Sequence, residues 1–417
     1  MDLKKIIIEY QEFIQSTKVT SRDYQIDKRA NYVFTGIRRA GKTWFLFQII
    51  HQYFSDTPEQ ILYINFEDER FIDFKVTDFD KLMDAFSELY PSVRPVLFLD
   101  EIQNIEGWQK FCRRMADQKY QVFVTGSNAK MLSSDIASSL GGRFLTIEIG
   151  PLSFVEFIRF NGVSYARNEL HGHKVNLIKN LFAEYYHYGG FPEIISFENK
   201  KEYLHTIYTT VLYNDIVLRN NIRDIHSLRL LIKKIAESSK DEISYNRLKN
   251  LLVETGAKVG TSTVISWIDS LKNAFIIREI KNIQYKFTDR EVKKKYYFSD
   301  NGLLLALGEQ SEAKYFETLV FNALRYFFDE LWFFNTGNAE VDFLVPEKAL
   351  FQACFDFKSQ KTREGEIKSL VKAANFLSVD TLIILTYNHE EEIIIKSHKI
   401  SILPLWKYII KQANRWN

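Results

Sequence analysis

The stretch YVFTGIRRAGKTWFLFQII, Tyr32 to Ile50, limits the fold more than any other part of the 417-residue chain. An apolar β-like run leads into a glycine loop, and an apolar segment of helical character leaves it. Gly36, Gly41, Lys42 and Thr43 fill the pattern G-x-x-x-x-G-K-[ST] in that strand–loop–helix setting. The residue types suit one task. Glycines let successive backbone N–H groups close around phosphate oxygens, and the new helix points its positive end at them. Lys42 would reach the β- and γ-phosphates, and Thr43 would place its hydroxyl on magnesium. The expected nucleotide-binding residues are Gly36, Ile37, Arg38, Arg39, Ala40, Gly41, Lys42, Thr43 and Trp44, with ATP and Mg2+ as cofactors.

A phosphate loop alone does not imply hydrolysis, so a second, acidic strand is needed. VLFLDEIQ supplies it: Val96 to Leu99 run continuously apolar, as in a parallel strand buried on both faces. Asp100 at its carboxyl end would hold the magnesium shell, and Glu101 is placed to polarise the attacking water; an acidic helix cap is the plain alternative. QVFVTGSN, Gln121 to Asn128, reads as a further strand whose polar end would contact the γ-phosphate through Ser127 or Asn128, or would simply turn. Arg143 follows two glycines in LGGR and is either a finger that neutralises transition-state charge, in trans in an assembly, or a surface residue in a turn.

Composition supports a folded chain of several parts. Length sets a prior of about three domains at roughly 150 residues each. Hydrophobic residues at 46% and aromatics at 15% argue against disorder. Net charge is only +2, so any affinity for nucleic acid has to come from local patches. Cys112 and Cys354 lie far apart in apolar surroundings, which reads as buried reduced thiols. Glu9 and Gln11 interrupt the opening apolar run before a signal-peptide core is complete, and apolar runs such as Trp44–Ile50 fall far short of the ~18 residues of a membrane span. A soluble, cytoplasmic protein is expected.

GIRRAGKT, LFLDEIQNIEGWQ, VTGSNAKML, LGGR and GPLSFVEF, in that order, resemble prokaryotic AAA-type ATPases that carry a carboxy-terminal region of restriction-endonuclease-like fold. YGGFPEII, Tyr188 to Ile195, and YYFSDNGLLLAL, Tyr296 to Leu307, extend the resemblance over nearly the whole chain. It implies an α/β protein: an N-terminal helical arm at 1–30, a P-loop ATPase core at 31–155, a helical lid at 156–225, a winged helix at 226–305 and a restriction-endonuclease-like domain at 306–417.

From about Glu156 to Asp224 the periodicity is helical, which fits a lid; Asp215 has no evident chemical role. ISYNRLKNLLVET, GAKVG and TSTVISWIDSLKNAF read as helix, turn, helix, with FIIREI and KKKYYFS as wing strands. Between Lys272 and Asp300 stand eight Lys/Arg against four Asp/Glu, a basic excess suited to DNA phosphates, although many winged helices bind only protein.

In the tail, KYFETLVFNALRYFF places Glu317 at the margin of an apolar helical stripe. AEVDFLV sets Asp342 on one strand face, and FQACFDFKSQ, read as a strand, points Asp356 and Lys358 from one face together. This ordered set resembles the nuclease signature of the restriction-endonuclease fold. It implies metal binding by Glu317, Asp342 and Asp356, with Lys358 orienting a water. Val341 stands where a proline sometimes precedes the aspartate. A relic with a surface Asp356–Lys358 salt bridge is the alternative.

Three functions fit this pattern. ATP hydrolysis could drive a conformational or assembly change while the tail grips or cuts DNA. Nucleotide could instead switch protein contacts, or gate a metal-dependent nuclease.

Overall fold

The computed structural model describes residues 1–132, 134–165, 172–395 and 397–416. They fall into two compact units, residues 1–150 with 273–275 and residues 151–272 with 276–417.

The first unit contains α1 (Leu3–Ser16), β1 (Asn31–Thr35), α2 (Lys42–Tyr53), β2 (Ile61–Asn65), α3 (Phe79–Leu89), β3 (Val96–Asp100), α4 (Trp108–Asp117), β4 (Gln121–Gly126), α5 (Ser134–Ser139) and β5 (Phe144–Glu148). The five strands form one parallel sheet in the order β2-β3-β4-β1-β5. Their unbroken apolar runs are used by both faces. Val33, Leu62, Leu97, Leu99, Val122 and Val124 pack toward Phe79, Phe86 and Phe111 of α3 and α4. The alternate residues Phe34, Tyr63, Phe98 and Phe123 pack toward Phe45, Leu46 and Ile49 of α2. Phe79 and Phe111 stack at 4.0 Å between ring centres, a pairing worth about 0.5–1.5 kcal/mol beyond the buried area. Because all strands run the same way, the loops after β1, β3 and β4 leave from one end of the sheet, the usual ligand end of an open α/β sheet.

The second unit opens with α6 (Phe154–Phe160), α7 (His173–Tyr188) and α8 (Lys200–Thr210), the last running into a π-helical stretch at Val211–Leu218. Then come α9 (Ile225–Glu237), β6 (Ile243–Ser244), α10 (Tyr245–Glu254), α11 (Thr261–Asn273), β7 (Ile277–Ile280), α12 (Phe287–Val292) and β8 (Lys293–Phe298). Strands β6, β8 and β7 make a small antiparallel sheet in that order. The remainder is α13 (Asn301–Ala306), α14 (Glu312–Phe327), β9 (Trp332–Asn335), β10 (Glu340–Val345), β11 (Ala349–Cys354), α15 (Gln360–Leu377), β12 (Leu382–Thr386), β13 (Glu391–Ile395), β14 (His398–Pro404) and α16 (Leu405–Trp416). Its mixed sheet has the order β13-β14-β12-β11-β10-β9, with Ile367, Leu370 and Ala373 of α15 packed in the core formed with Val341, Leu350, Ile384 and Ile402.

Two motifs far apart in sequence close on each other here. Asp300 accepts from the N–H of Gly190 and from that of Gly302, each at 2.7 Å, while Asn301 donates to the carbonyls of Tyr186 and Tyr315. Gly189 must lack a side chain, because a Cβ there would stand 1.8 Å from Asp300 Oδ1. YGGFPEII and YYFSDNGLLLAL thus form one buried joint.

One expected strand is shorter than its sequence pattern. β11 ends at Cys354, so Asp356 and Lys358 are not strand residues; both are exposed in the turn before α15. Cys354 is the last residue of β11 with a partner in β12, which itself ends at Thr386. Past that point the backbone donors need other acceptors, and Asp356 Oδ1 takes the N–H of Lys358 at 3.1 Å.

Candidate nucleotide site and a second carboxylate cluster

The loop between β1 and α2 has the conformation its glycines allow. Gly36 lies against Ile149, where a Cβ would meet the carbonyl oxygen at 1.9 Å, and Gly41 takes a left-handed φ of 91°. Ile37 and Ala40 are buried within the loop, Trp44 is half-exposed against Phe47, and Arg38 pairs with Glu67 at 2.6 Å. Arg39 also adopts positive φ. Lys42 is 4% exposed and donates to the carbonyls of Gly36 and Ile37 at 3.2 and 3.3 Å. Its ammonium also lies 3.4 Å from Glu101 Oε1.

Thr43 and Asp100 come together as the motif requires. Thr43 Oγ1 donates to Asp100 Oδ2 at 2.6 Å, Tyr63 OH donates to the same oxygen at 2.8 Å, and Thr125 Oγ1 donates to Oδ1. Asp100 has no exposed surface, so burial first and the neighbouring Glu101 charge second push its carboxyl above the usual range, against the three hydroxyls. Glu101 goes the other way. Burial opposes its charge, but Lys42, the Gln103 amide and Arg38 outweigh that and hold it below the ordinary carboxylate range. Its backbone, at φ 49°, donates its N–H to Thr125 Oγ1 at 2.9 Å. A buried carboxylate that accepts from the hydroxyls of Thr43, Tyr63 and Thr125 is a set of hard oxygen donors that fits magnesium.

Three residues in this network escaped sequence reading: Tyr63, Gln103 and Thr125. Tyr63 and Thr125 sit inside strands, where their side chains count as pattern filling; only register puts them beside Asp100. Asn128 lies after β4, where its Oδ1 accepts from Lys130 N at 2.9 Å, and Ser127 is buried next to it. Arg143 is elsewhere. It pairs with Asp117 at 2.5 Å and precedes Phe144, the register partner of Asn31 at the start of β1. Four strand steps of about 3.3 Å, roughly 13 Å, separate that end from the phosphate loop, so Arg143 does not reach its own chain's site.

The tail residues divide into two places. Glu317 of α14 and Asp342 of β10 are buried around the Lys295 ammonium of β8, which lies 2.8 Å from Glu340, 3.8 Å from Asp342 and 3.9 Å from Glu317. Tyr297 OH donates to Glu317 Oε1 at 2.7 Å, and Ala353 N donates to Asp342 Oδ2 at 2.9 Å. Burial, then Asp342, pushes Glu317 well above the carboxylate range; burial likewise raises Asp342, and burial with Asp342 brings Glu366 up to about 7. Asp356 and Lys358 lie outside this network, on the exposed turn. Among the described residues no group of three or more His, Cys, Asp and Glu is arranged to hold a metal ion, so the set Glu317, Asp342, Asp356 is not assembled as the strand reading expected.

The basic excess before Asp300 is also largely spent. Lys272 and Lys294 pair with Glu279, Lys281 pairs with Glu291, and Lys295 is buried in the cluster above. In the lysine-rich sequence KKK, Lys293 is exposed while Lys294 and Lys295, neighbours on the strand, are both buried.

An AAA domain model matches residues 28–158, and a Domain of unknown function (DUF8612) matches residues 179–314. An uncharacterized protein of Methanocaldococcus jannaschii is 35% identical over 97% of this chain and 94% of its own length. The chain belongs to that protein's family. An uncharacterized protein of Haemophilus influenzae is 32% identical over 65% of this chain and 67% of its own length. Solved structures with a looser likeness include the Aeropyrum pernix ORC1 protein in complex with DNA, 13% identical, covering 74% of this chain and 91% of that one at a TM-score of 0.34. Cdc6p from Pyrobaculum aerophilum is 15% identical, covering 76% and 93% at a TM-score of 0.26. The residues that the AAA domain model matches include the glycine loop Gly36–Thr43 of the first unit. Among the described residues no helix is long and apolar enough to cross a membrane.

Proposed function

We propose that this AAA-domain protein binds ATP with Mg2+ and hydrolyses it. The observation that carries the reading is the opposed state of two adjacent carboxylates: Asp100 hydrogen-bonded to Thr43, and Glu101 kept ionised beside Lys42. Bound magnesium would supply charge neutralisation at the phosphates, held by Thr43 and Asp100. The chain's own groups do the rest. Lys42 exchanges the carbonyls of Gly36 and Ile37 for phosphate oxygens, and that move withdraws the ammonium from Glu101. Glu101, fixed through its N–H to Thr125, then orients water as general base. The Asn128 amide, oriented by the turn it caps, serves as γ-phosphate sensor. Arg143 acts in trans, in a homo-oligomer, because it stands at the far end of its own sheet. Phosphate release tests the core of this reading: unchanged rates in Lys42→Ala and Glu101→Gln would sink it.

For the second unit, the element order from α9 to β8 supports a winged helix, and the mixed sheet with flanking helices supports a restriction-endonuclease-like tail. One observation favours a nucleotide-dependent interaction switch over a DNA-cutting tail. Lys281, Lys294 and Lys295 of the wing are paired with acids, and Asp356 and Lys358 are exposed beyond the end of β11 while Glu317 and Asp342 are buried. Plasmid incubated with the full chain, Mg2+ or Mn2+ and ATP should stay supercoiled; nicking that Asp356→Ala abolishes would reverse the choice.

A further inference from the structure

Strand β8 delivers two side chains to the carboxylate cluster, the Lys295 ammonium and the Tyr297 hydroxyl. Lys295 is 1% exposed, and its Nζ lies within 4 Å of an oxygen on each of Glu317, Glu340 and Asp342. Its position is braced from outside. Residues 281–283 run beside β9, with Ile283 N donating to Phe333 O at 3.0 Å, Phe333 N to Lys281 O at 3.1 Å, and Asn282 Nδ2 to Asn335 O at 2.8 Å. This segment leads from β7 into α12 and β8, so the small sheet that carries the lysine, in which β8 pairs with β6 and β7, is joined to β9 through residues 281–283 and is not a loose arm.

Buried carboxylates from a helix and a strand repel one another unless something cationic stands between them. A divalent ion is the usual guest of such hard oxygens, which it draws in to about 2.0–2.6 Å. Here the guest is part of the chain. Glu340 is half-exposed, so the cluster has a route to solvent that a metal could use. We propose that Lys295 is the resident cation of Glu317, Glu340 and Asp342, and that it closes to divalent metal a site these carboxylates form once the ammonium is removed. The proposal rests on the non-cleaving reading of the second unit and explains it. Plasmid nicking would sink that reading, whereas the metal experiment addresses Lys295 alone.

The test is Mn2+ binding to nucleotide-free full-length protein, followed by the electron paramagnetic resonance signal of free Mn2+. Lys295→Met should take up an additional Mn2+ equivalent over the wild type, and Lys295→Met with Asp342→Asn should lose it. Lys295→Arg, which keeps the charge, should match the wild type. Where Lys295→Met is poorly folded without metal, its yield on refolding is measured with and without Mn2+; rescue by Mn2+, absent from the double variant, is the expected result. Equal Mn2+ uptake by wild type and Lys295→Met with refolding indifferent to Mn2+ overturns the proposal. So does a wild-type Mn2+ equivalent that Asp342→Asn removes.

Discussion

The phosphate loop and the tail cluster each set a buried lysine against buried carboxylates, yet the two lysines are held differently. Lys42 rests on two loop carbonyls at 3.2 and 3.3 Å and on Glu101 at 3.4 Å, partners that a phosphate can replace. Lys295 sits on a strand paired within its sheet and has its closest carboxylate at 2.8 Å. In the first place the cation is poised to leave Glu101, and the next acid along the chain, Asp100, accepts from three hydroxyls. In the second the cation stays, and Tyr297 and the Ala353 N–H occupy further carboxylate oxygens. An acidic cluster becomes reactive when its counter-ion is exchangeable, and structural when the fold supplies it.

The largest expected effect breaks the first half of the comparison. Glu101→Gln should lower phosphate release by about 10²–10⁴-fold, the range for losing a general base, while a fluorescent ATP analogue still binds. If release falls less than tenfold, Glu101 is not the base. Next, removal of the fixed cation should cost stability: Lys295→Ala leaves buried carboxylates unpaired, a loss of about 3–5 kcal/mol read by urea unfolding without divalent metal. Glu340→Gln, at the half-exposed edge of the same cluster, should cost about 1 kcal/mol or less. Equal losses would mean that Lys295 serves only its nearest partner.

Asp300 sharpens the comparison as a buried carboxylate whose partners are backbone N–H groups. Burial raises it from 3.8 to about 7, against the donors Gly190 and Gly302. The folded state then holds a proton the unfolded chain releases, so this group's stabilisation is full below pH 4 and is lost as pH rises through about 7. The span corresponds to roughly 4 kcal/mol at most. Asp300→Asn should flatten that part of the stability–pH curve, and an unchanged slope would contradict the assignment. The smallest effect belongs to the exposed turn: Lys358→Ala should change stability by about 0.5 kcal/mol or less and leave ATP turnover intact. A large loss of either would return Lys358 to a working site.

How much of this was legible depends on the distance over which each residue's role is set. Gly36, Gly41, Lys42 and Thr43 could be placed because a local backbone shape dictates their types. The apolar strand ending in Asp100 was equally readable, since a strand buried on both faces needs an unbroken run. Tyr63 and Thr125 could not be found that way. Their hydroxyls reach Asp100 through strand register, a pairing between segments far apart in sequence. The alternation in FQACFDFKSQ was real as far as Cys354 and misleading beyond it, because a strand also needs neighbours for its backbone.

The same boundary separates the two lysine sites. By itself the amino-acid sequence determined the phosphate loop, its acidic partner strand and the parallel sheet that joins them, since glycine freedom and hydrophobic periodicity act over a few residues. Only the tertiary structure decided that Lys295, read as part of a basic wing, turns inward among Glu317, Glu340 and Asp342. A charge's role is set by what it is buried against, and that partner is chosen by packing between elements distant in the chain.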